Sequence, residues 1–166
     1  MDIQLLRKAL ENDDLKEVEN LLDVVENEKF KEEIPLLIEF LKRTNSHQIR
    51  NQIAICLSDI GGNEVVKPII DMINDPKTLG YRGTLLYSLQ PFDCSAHLDS
   101  LIHHLITGNF EVQAEAFHLI EAMKGTMPNE MLLKSIETIK VELTELERKH
   151  DVLSDTLQRL YALKHN

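Results

Sequence analysis

The sequence has little of what β-structures need: it contains no tryptophan, six glycines, five prolines and only 5% aromatic residues. Strands favour aromatic and β-branched residues, and the turns between them favour glycine and proline. This shortage therefore disfavours a β-sandwich or a β-barrel.

Membrane and secretion signals are also missing. No apolar run approaches the roughly 18 residues that a membrane-spanning helix requires, and the start of the chain lacks the basic-then-apolar pattern of a signal peptide. The two cysteines, Cys56 and Cys94, lie far apart in the sequence and form no disulfide framework. We therefore expect a cytoplasmic protein with reduced thiols and no membrane partner.

Positive charge is scarce as well. The chain has 18 Lys and Arg against 28 Asp and Glu, which gives a net charge of −10 at pH 7. Such a chain is repelled by a phosphate backbone, so nucleic acid is disfavoured as a ligand, whereas a basic protein is attracted and associates faster. With 166 residues, of which 43% are hydrophobic, the chain is long enough for one well-packed domain.

A repeat of 32 residues organises the middle of the chain. Aliphatic residues occupy the same positions three times, first in residues 34–41 and then 32 and 64 residues later. Within each copy they follow the i, i+3, i+4, i+7 spacing of one helical stripe. The positions are Ile34, Leu37, Ile38 and Leu41, then Val66, Ile69, Ile70 and Ile73, then Leu98, Leu101, Ile102 and Leu105.

A second apolar stripe follows the first in every copy, and the third copy is one residue shorter. Each copy is therefore predicted to be a helical hairpin, and three hairpins side by side predict a short α-solenoid. Asp75 and Pro76 are expected to end one helix, and Gly61 and Gly62 to form a left-handed cap at the end of another. The second stripes are Ile53, Ala54, Leu57 and Ile60, then Leu85, Leu86, Leu89 and Phe92, then Ala116, Phe117, Ile120 and Met123.

The chain is predicted to be a single domain with three regions. Residues 1–29 predict an acidic helical pair that caps the array, residues 30–125 contain the repeats, and residues 126–166 predict one or two further helices. From Pro128 to residue 164 no proline or glycine follows, and the apolar residues alternate by three and four with only His150 interrupting. Two structures stay open here: a coiled-coil arm, or a helix that folds back after a break near residues 147–151. The oligomeric state stays open too.

The segment VVKPIIDMINDPKTLGYRGTLLYSL resembles a HEAT repeat, with an aliphatic first helix, an Asp-Pro turn, and a second helix that opens with an apolar residue and an arginine. The resemblance covers about residues 30–125. Arg50 and Arg82 occupy the arginine position, and Gln113 replaces it in the third copy. We expect each arginine to hold the stack by binding a neighbouring aspartate or a carbonyl between repeats.

Further segments, NDPKT, RGTLLYSL, FDC and GNFEVQAEAFHLIE, resemble a small bacterial family of polymorphic-toxin immunity proteins. This resemblance implies an all-helical, non-catalytic protein. It also implies a partner, a toxin encoded beside it, whose active site the protein would occlude.

Signatures of catalysis and of metal binding are weak. No GxSxG, CxxC, HExxH or phosphate-binding loop occurs, so we expect neither an enzyme nor a cofactor. Polar surface histidines are the favoured interpretation for the third copy, because tight ligand spacing is missing, although metal binding stays open. The histidines and their possible co-ligands are His97, His103, His104, His118, Cys94 and Asp99.

Carboxylates in and beside the repeats carry the functional prediction. They are expected at helix ends and on the second-helix face that would line the concave side of the stack, where they would complement a basic toxin such as a nuclease. For any one of them alone, a helix cap or a solvated surface residue is the simpler interpretation. The alternative function is a HEAT-like scaffold or chaperone in an intracellular complex. The predicted partner-binding residues are Asp59, Glu64, Tyr87, Glu111, Glu115, His118 and Glu121.

Overall fold

The computed structural model describes residues 3–28 and 31–164, and all regular structure in these residues is helical. Helices make up 82% of them, without a β-strand, which confirms the predicted all-α class. The predicted boundary between the N-terminal pair and the repeats, at residues 29 and 30, lies outside the described residues. The α-helices are α1 Ile3–Glu11, α2 Leu15–Glu28, α3 Ile34–Arg43, α4 His47–Ile60, α5 Val66–Asn74, α6 Gly83–Tyr87, α7 Leu98–Thr107, α8 Phe110–Glu121 and α9 Asn129–Lys164.

The chain divides into two compact units between Thr126 and Met127. The first unit contains α1 to α8, and α9 belongs to the second. Within residues 3–28 and 31–164, no helix combines the length and the apolar character that crossing a lipid bilayer would require.

The helices of the first unit pair in chain order. α1 packs on α2, α3 on α4, α5 on α6, and α7 on α8. The second helices of these pairs also contact one another in succession, α2 with α4, α4 with α6 and α6 with α8, and α3 contacts α5. The three predicted hairpins are therefore present, and the N-terminal pair packs against the first of them.

The predicted apolar stripes form the core of this unit. Every position of the first stripe is buried or partly buried in all three copies. In the central hairpin, Ile70 is 4% exposed and Leu86 is fully buried. The stripe predicts burial well because side chains three and four residues apart share one face of a helix.

The end of the first unit departs from the prediction. Phe117 belongs to the predicted stripe of α8, yet 51% of this side chain is exposed, whereas Leu119 is buried. The equivalent residue of α4, Ala54, is buried because α4 packs against both α2 and α6, while no further helix of the unit follows α8. α6 is shorter than its counterparts and ends at Tyr87, so Leu89 is buried from the turn after it.

Gly61 ends α4 in a different conformation from the left-handed one predicted for it and for Gly62. The φ and ψ angles of Gly61 are −85° and −177°, and φ of Gly62 is −130°, so both residues have extended backbone. Position 61 requires glycine for lack of space, since a Cβ there would overlap Cγ1 of Val65 and the carbonyl oxygen of Leu57.

Side-chain hydrogen bonds stabilise the loops of the first and second hairpins. Oδ1 of Asp75 accepts a hydrogen bond from the backbone N of Lys77 at 2.9 Å, which confirms the predicted Asp-Pro turn. Nη2 of Arg82 donates to the carbonyl of Asp75 at 3.2 Å, and Nη2 of Arg50 donates to the carbonyl of Thr44 at 2.7 Å. These carbonyls lie in the same hairpin as each arginine, so the predicted bond to a carbonyl between repeats is wrong.

α9 is continuous over Asn129–Lys164, a length of 36 residues, which corresponds to about 54 Å. The break near residues 147–151, one of the two alternatives for this region, is absent from the helix. Ser135 is buried, and most apolar side chains along α9 are exposed.

Candidate functional site

A cleft of about 320 Å³ opens where α2, α4 and α6 meet in the first unit. It lies on the second helices of three successive pairs, so its walls depend on the way these helices pack. None of the described residues that line it is basic. They are Glu19, Leu22, Asp23, Glu26, Asn51, Gln52, Ile55 and Thr84.

One wall of the cleft is acidic. Glu19, Asp23 and Glu26 follow the i, i+4, i+7 spacing of a single helical stripe on α2, so neighbouring carboxylates lie within one turn of each other. Glu19 and Asp23 are exposed and Glu26 is partly buried. Like charges this close repel one another, and a cation placed between them relieves that repulsion.

The opposite wall supplies amide oxygens. Nδ2 of Asn51 donates to Oγ1 of Thr84 at 3.3 Å, which joins α4 to α6. Oδ1 of Asn51 and Oε1 of Gln52 are buried, and neither accepts a hydrogen bond from the described part of the chain. Buried acceptors beside carboxylates suit a ligand that only donates, such as a guanidinium or an ammonium group.

Acidic residues continue from the cleft onto α8. The carboxylate of Glu111 lies against Gly83, in the space that a Cβ would occupy, and Gly83 precedes Thr84 at the edge of the cleft. Oε2 of Glu115 accepts a hydrogen bond from Nε2 of Gln90 at 2.9 Å. The five carboxylates that extend across these helices are named the acidic strip: Glu19, Asp23, Glu26, Glu111 and Glu115.

A second depression, of about 460 Å³, lies beside the α8 end of the acidic strip. Its lining includes Gln90, which holds Glu115, together with His118 and Glu121. Glu111, Glu115 and His118 are spaced i, i+4, i+7 on α8 and therefore share one face of that helix. The structure thus brings the four predicted residues of α8 into one region.

The other three predicted partner-binding residues, Tyr87, Asp59 and Glu64, lie on different elements of the first unit. Tyr87 is 53% exposed and follows Gly83 by four residues, so it lies on the side of α6 that meets Glu111. Asp59 is exposed and shares a stripe of α4 with Gln52. Glu64 is apart from the strip, in the turn before α5.

In that turn, Oε1 of Glu64 accepts a hydrogen bond from the backbone N of Gly62 at 3.2 Å. This contact is a local one that shapes the connection between α4 and α5. Glu64 therefore fits the simpler interpretation of a turn-stabilising carboxylate.

The cleft itself was not predicted from the sequence. Asp23 and Glu26 could have been found, because with Glu19 they repeat at the spacing of one helical stripe. Asn51 and Gln52 carry no comparable signal, since their acceptors become buried only when α2 and α6 pack against α4.

The histidines of the third hairpin lie on different helices: the rings of His103 and His104 on α7 are 5.1 Å apart, and His118 lies on α8. His104 is buried, and its Nε2 lies 2.9 Å from Oδ1 of Asn74. Burial, and then the charges of Arg82 and His103, lower the pKa of His104 to about 4. Within the described residues no group of three or more His, Cys, Asp or Glu is arranged to hold a metal ion.

The cysteines are poor candidates for covalent chemistry. Cys56 and Cys94 are not joined in a disulfide, and both side chains are buried. Burial, and then the charge of Asp93, raise the pKa of Cys94 to about 11. A thiol with so high a pKa carries almost no thiolate at neutral pH, and the thiolate is the reactive form.

The acidic strip, with its buried amide acceptors and the depression beside it, is thus the feature of the first unit best suited to bind a ligand. Its chemistry favours a cationic group presented by a larger molecule, since the strip crosses several helices. No protein-family model, curated protein or solved structure matches this chain.

Proposed function

We propose that the first unit is a short α-solenoid of HEAT-like hairpins that binds a basic protein through the acidic strip. The successive contacts of α2, α4, α6 and α8 support the stacked arrangement. In its most specific form, the proposal is that the chain is a non-catalytic immunity protein that neutralises a cognate toxin by covering the toxin's active site.

The observation that carries the proposal is the composition of the strip and the cleft. Carboxylates from α2 and α8 flank a cleft whose lining holds unpaired amide acceptors and no basic side chain. Lysine and arginine side chains of a partner would supply the missing donors, and Arg can bind a carboxylate through two hydrogen bonds.

The net charge of −10 supports the same partner class. Long-range attraction raises the association rate of a basic protein, and the effect falls as salt screens the charges. A nuclease is a suitable toxin, since its own cleft must be positive to hold nucleic acid. Covering that cleft with an acidic surface would block the substrate.

The test is co-expression with the product of the adjacent gene. We expect the parent chain to protect the cell and to co-purify with that product. Two double variants reverse charges at the strip and at the depression beside it. One combines Glu19→Lys with Asp23→Lys on α2. The other combines Glu115→Lys with Glu121→Lys on α8. Each pair should slow association about tenfold at low salt, flatten its salt dependence and reduce protection.

Glu137→Lys with Asp155→Lys on α9 is the matched control, because it changes the net charge equally and leaves the strip intact. Far-UV circular dichroism should be unchanged in all variants. If the reversed pairs on α2 and α8 bind as tightly as the control over a range of salt, the strip is not the binding surface. If the adjacent gene product binds but does not harm the cell, the scaffold function replaces immunity.

A further inference from the structure

The second unit carries an apolar seam along α9 that no described part of that unit covers. Its residues alternate by three and four, with His150 at one position of the series. Exposure of its leucines ranges from 40% at Leu132 to 60% at Leu153, and Ile139 is partly buried. The members are Leu132, Ile136, Ile139, Leu143, Leu146, His150, Leu153, Leu157 and Leu160.

This spacing is that of a coiled-coil heptad. Ile136, Leu143, His150 and Leu157 take position a, and Leu132, Ile139, Leu146, Leu153 and Leu160 take position d. Such a seam is stable in water only when a second helix covers it. The charges beside the seam identify that helix.

We propose that α9 pairs with α9 of a second copy of this chain as an antiparallel two-stranded coiled coil. Four charged residues flank the seam near its middle, with Lys140 and Glu147 at position e and Glu142 and Lys149 at position g. Their order reads Lys, Glu, Glu, Lys, so it is the same in both directions about a midpoint between residues 144 and 145. Position e carries Lys140 and then Glu147, and position g carries Glu142 and then Lys149, so each position changes sign along the chain and is complementary to the same position of a reversed copy.

In the antiparallel pair, position e faces e and position g faces g. With the two-fold axis at the midpoint, Lys140 meets Glu147 of the second copy, and Glu142 meets Lys149 of the second copy. Each contact occurs twice, and all of them join opposite charges. Shifting the register by one heptad in one direction places Glu147 opposite Glu147 of the second copy. Shifting it in the other direction places Lys140 opposite Lys140 of the second copy. Both shifted registers therefore bring like charges together.

A parallel pair is disfavoured by the same residues. In a parallel coiled coil, position g faces position e of the next heptad, so Glu142 would meet Glu147 of the second copy. Lys140 and Lys149 would face Ser135 and Ser154, which carry no charge. The parallel arrangement therefore has a repulsive pair and no attractive one.

Eight of the nine seam residues face one another in the antiparallel register, and Leu160 faces Asn129. His150 meets an isoleucine, and in this structure its Nδ1 lies 3.4 Å from Oδ1 of the neighbouring Asp151. A single polar residue at position a lowers the stability of a coiled coil and helps to select its register. The facing residues, each pair occurring twice, are Leu132 with Leu157, Ile136 with Leu153, Ile139 with His150, and Leu143 with Leu146.

Sedimentation analysis of the full chain tests the pairing. We expect a dimer at tens of micromolar that dissociates on dilution, and Leu146→Lys should abolish it. Glu147→Lys places Lys140 opposite a lysine in the antiparallel pair, so it should weaken the dimer about tenfold, and Lys140→Glu added to it should restore most of the affinity. In a parallel pair, Glu147→Lys would instead meet Glu142 and tighten the dimer.

Glu137→Lys is the matched control, because position 137 lies off the seam at heptad position b, and it should leave the affinity unchanged. A spin label at Arg159→Cys reports orientation, since the native cysteines are buried. The two labels should be about 45 Å apart in the antiparallel pair and about 20 Å apart in a parallel one. A chain that is monomeric at 100 micromolar, a dimer that survives Leu146→Lys, or the short label distance would each overturn the proposal.

Discussion

At the scale of single residues, the same side-chain type is found in opposite environments according to its neighbours. His104 is buried against Asn74, whereas His118 lines an open depression on α8. The sequence predicts both as polar surface residues, which is wrong for His104. The difference arises because His104 faces Asn74 at the end of α5 in the preceding hairpin, whereas His118 lies on α8 beside the open depression.

This burial predicts a pH dependence of stability. The pKa of His104 falls from 6.5 to about 4 on folding, so the unfolded chain binds a proton that the folded chain does not bind between these values. Stability is therefore full above pH 6.5 and is lost as pH falls toward 4, by up to about 3 kcal/mol. Nδ1 of His104 is buried without a partner, so a proton there would have no acceptor.

Urea unfolding at pH 7 and at pH 4.5 measures the loss. His104→Gln keeps a donor for Asn74 and does not titrate, so the variant should lose less stability than the parent over this range. Equal losses in the two proteins would show that His104 does not govern the acid sensitivity.

At the scale of elements, the arginines of the second helices hold the loops of the hairpins. Arg50 is 1% exposed and Arg82 is partly buried. Nε of Arg82 also donates to Oγ1 of Thr78 at 3.3 Å. Burial lowers the pKa of Arg50, and the charge of Asp75 in the next hairpin opposes that shift. Asp75 therefore attracts the Arg50 guanidinium electrostatically.

Replacing these arginines should have unequal effects. Arg50→Ala leaves the carbonyl of Thr44 without its donor and opens a cavity in the buried loop, so it should lower the free energy of unfolding by about 2 to 4 kcal/mol. Arg82→Ala should cost about 1 kcal/mol, because Arg82 is nearer to solvent and its bonds are longer. Denaturant unfolding at neutral pH compares the two, and equal costs would contradict the role given to burial.

At the scale of the whole molecule, the apolar core belongs to the first unit. The buried cluster runs from Leu6 to Leu119, with Met123 packed against it, and it contains no residue of α9. A helix without a core of its own depends on a partner, which agrees with the pairing proposed for α9.

Removing α9 should therefore leave the first unit folded. A chain that ends at Thr126 is expected to keep a strongly helical far-UV spectrum and to unfold in a single cooperative transition. The same truncation should abolish dimer formation in sedimentation. A truncated chain that is unfolded at neutral pH would show that the core in residues 6–123 is insufficient.

The sequence by itself determined the helical class, the positions of the hairpins and the seam of α9. These features follow from the spacing of apolar residues along the chain, which is a local property. The positions of the glycines were less informative. Gly61 is required because a Cβ there would overlap Val65 and Leu57, and its backbone is not left-handed.

Only the tertiary structure decided which residues meet. The cleft between α2, α4 and α6, the buried acceptors of Asn51 and Gln52, and the exposure of Phe117 depend on which helix packs on which. A helical stripe shows that one face of a helix is apolar. It does not show which neighbouring helix packs against that face. The acidic strip exists because packing brings Glu111 of α8 against Gly83 of α6, although α8 and α2 are far apart in the chain.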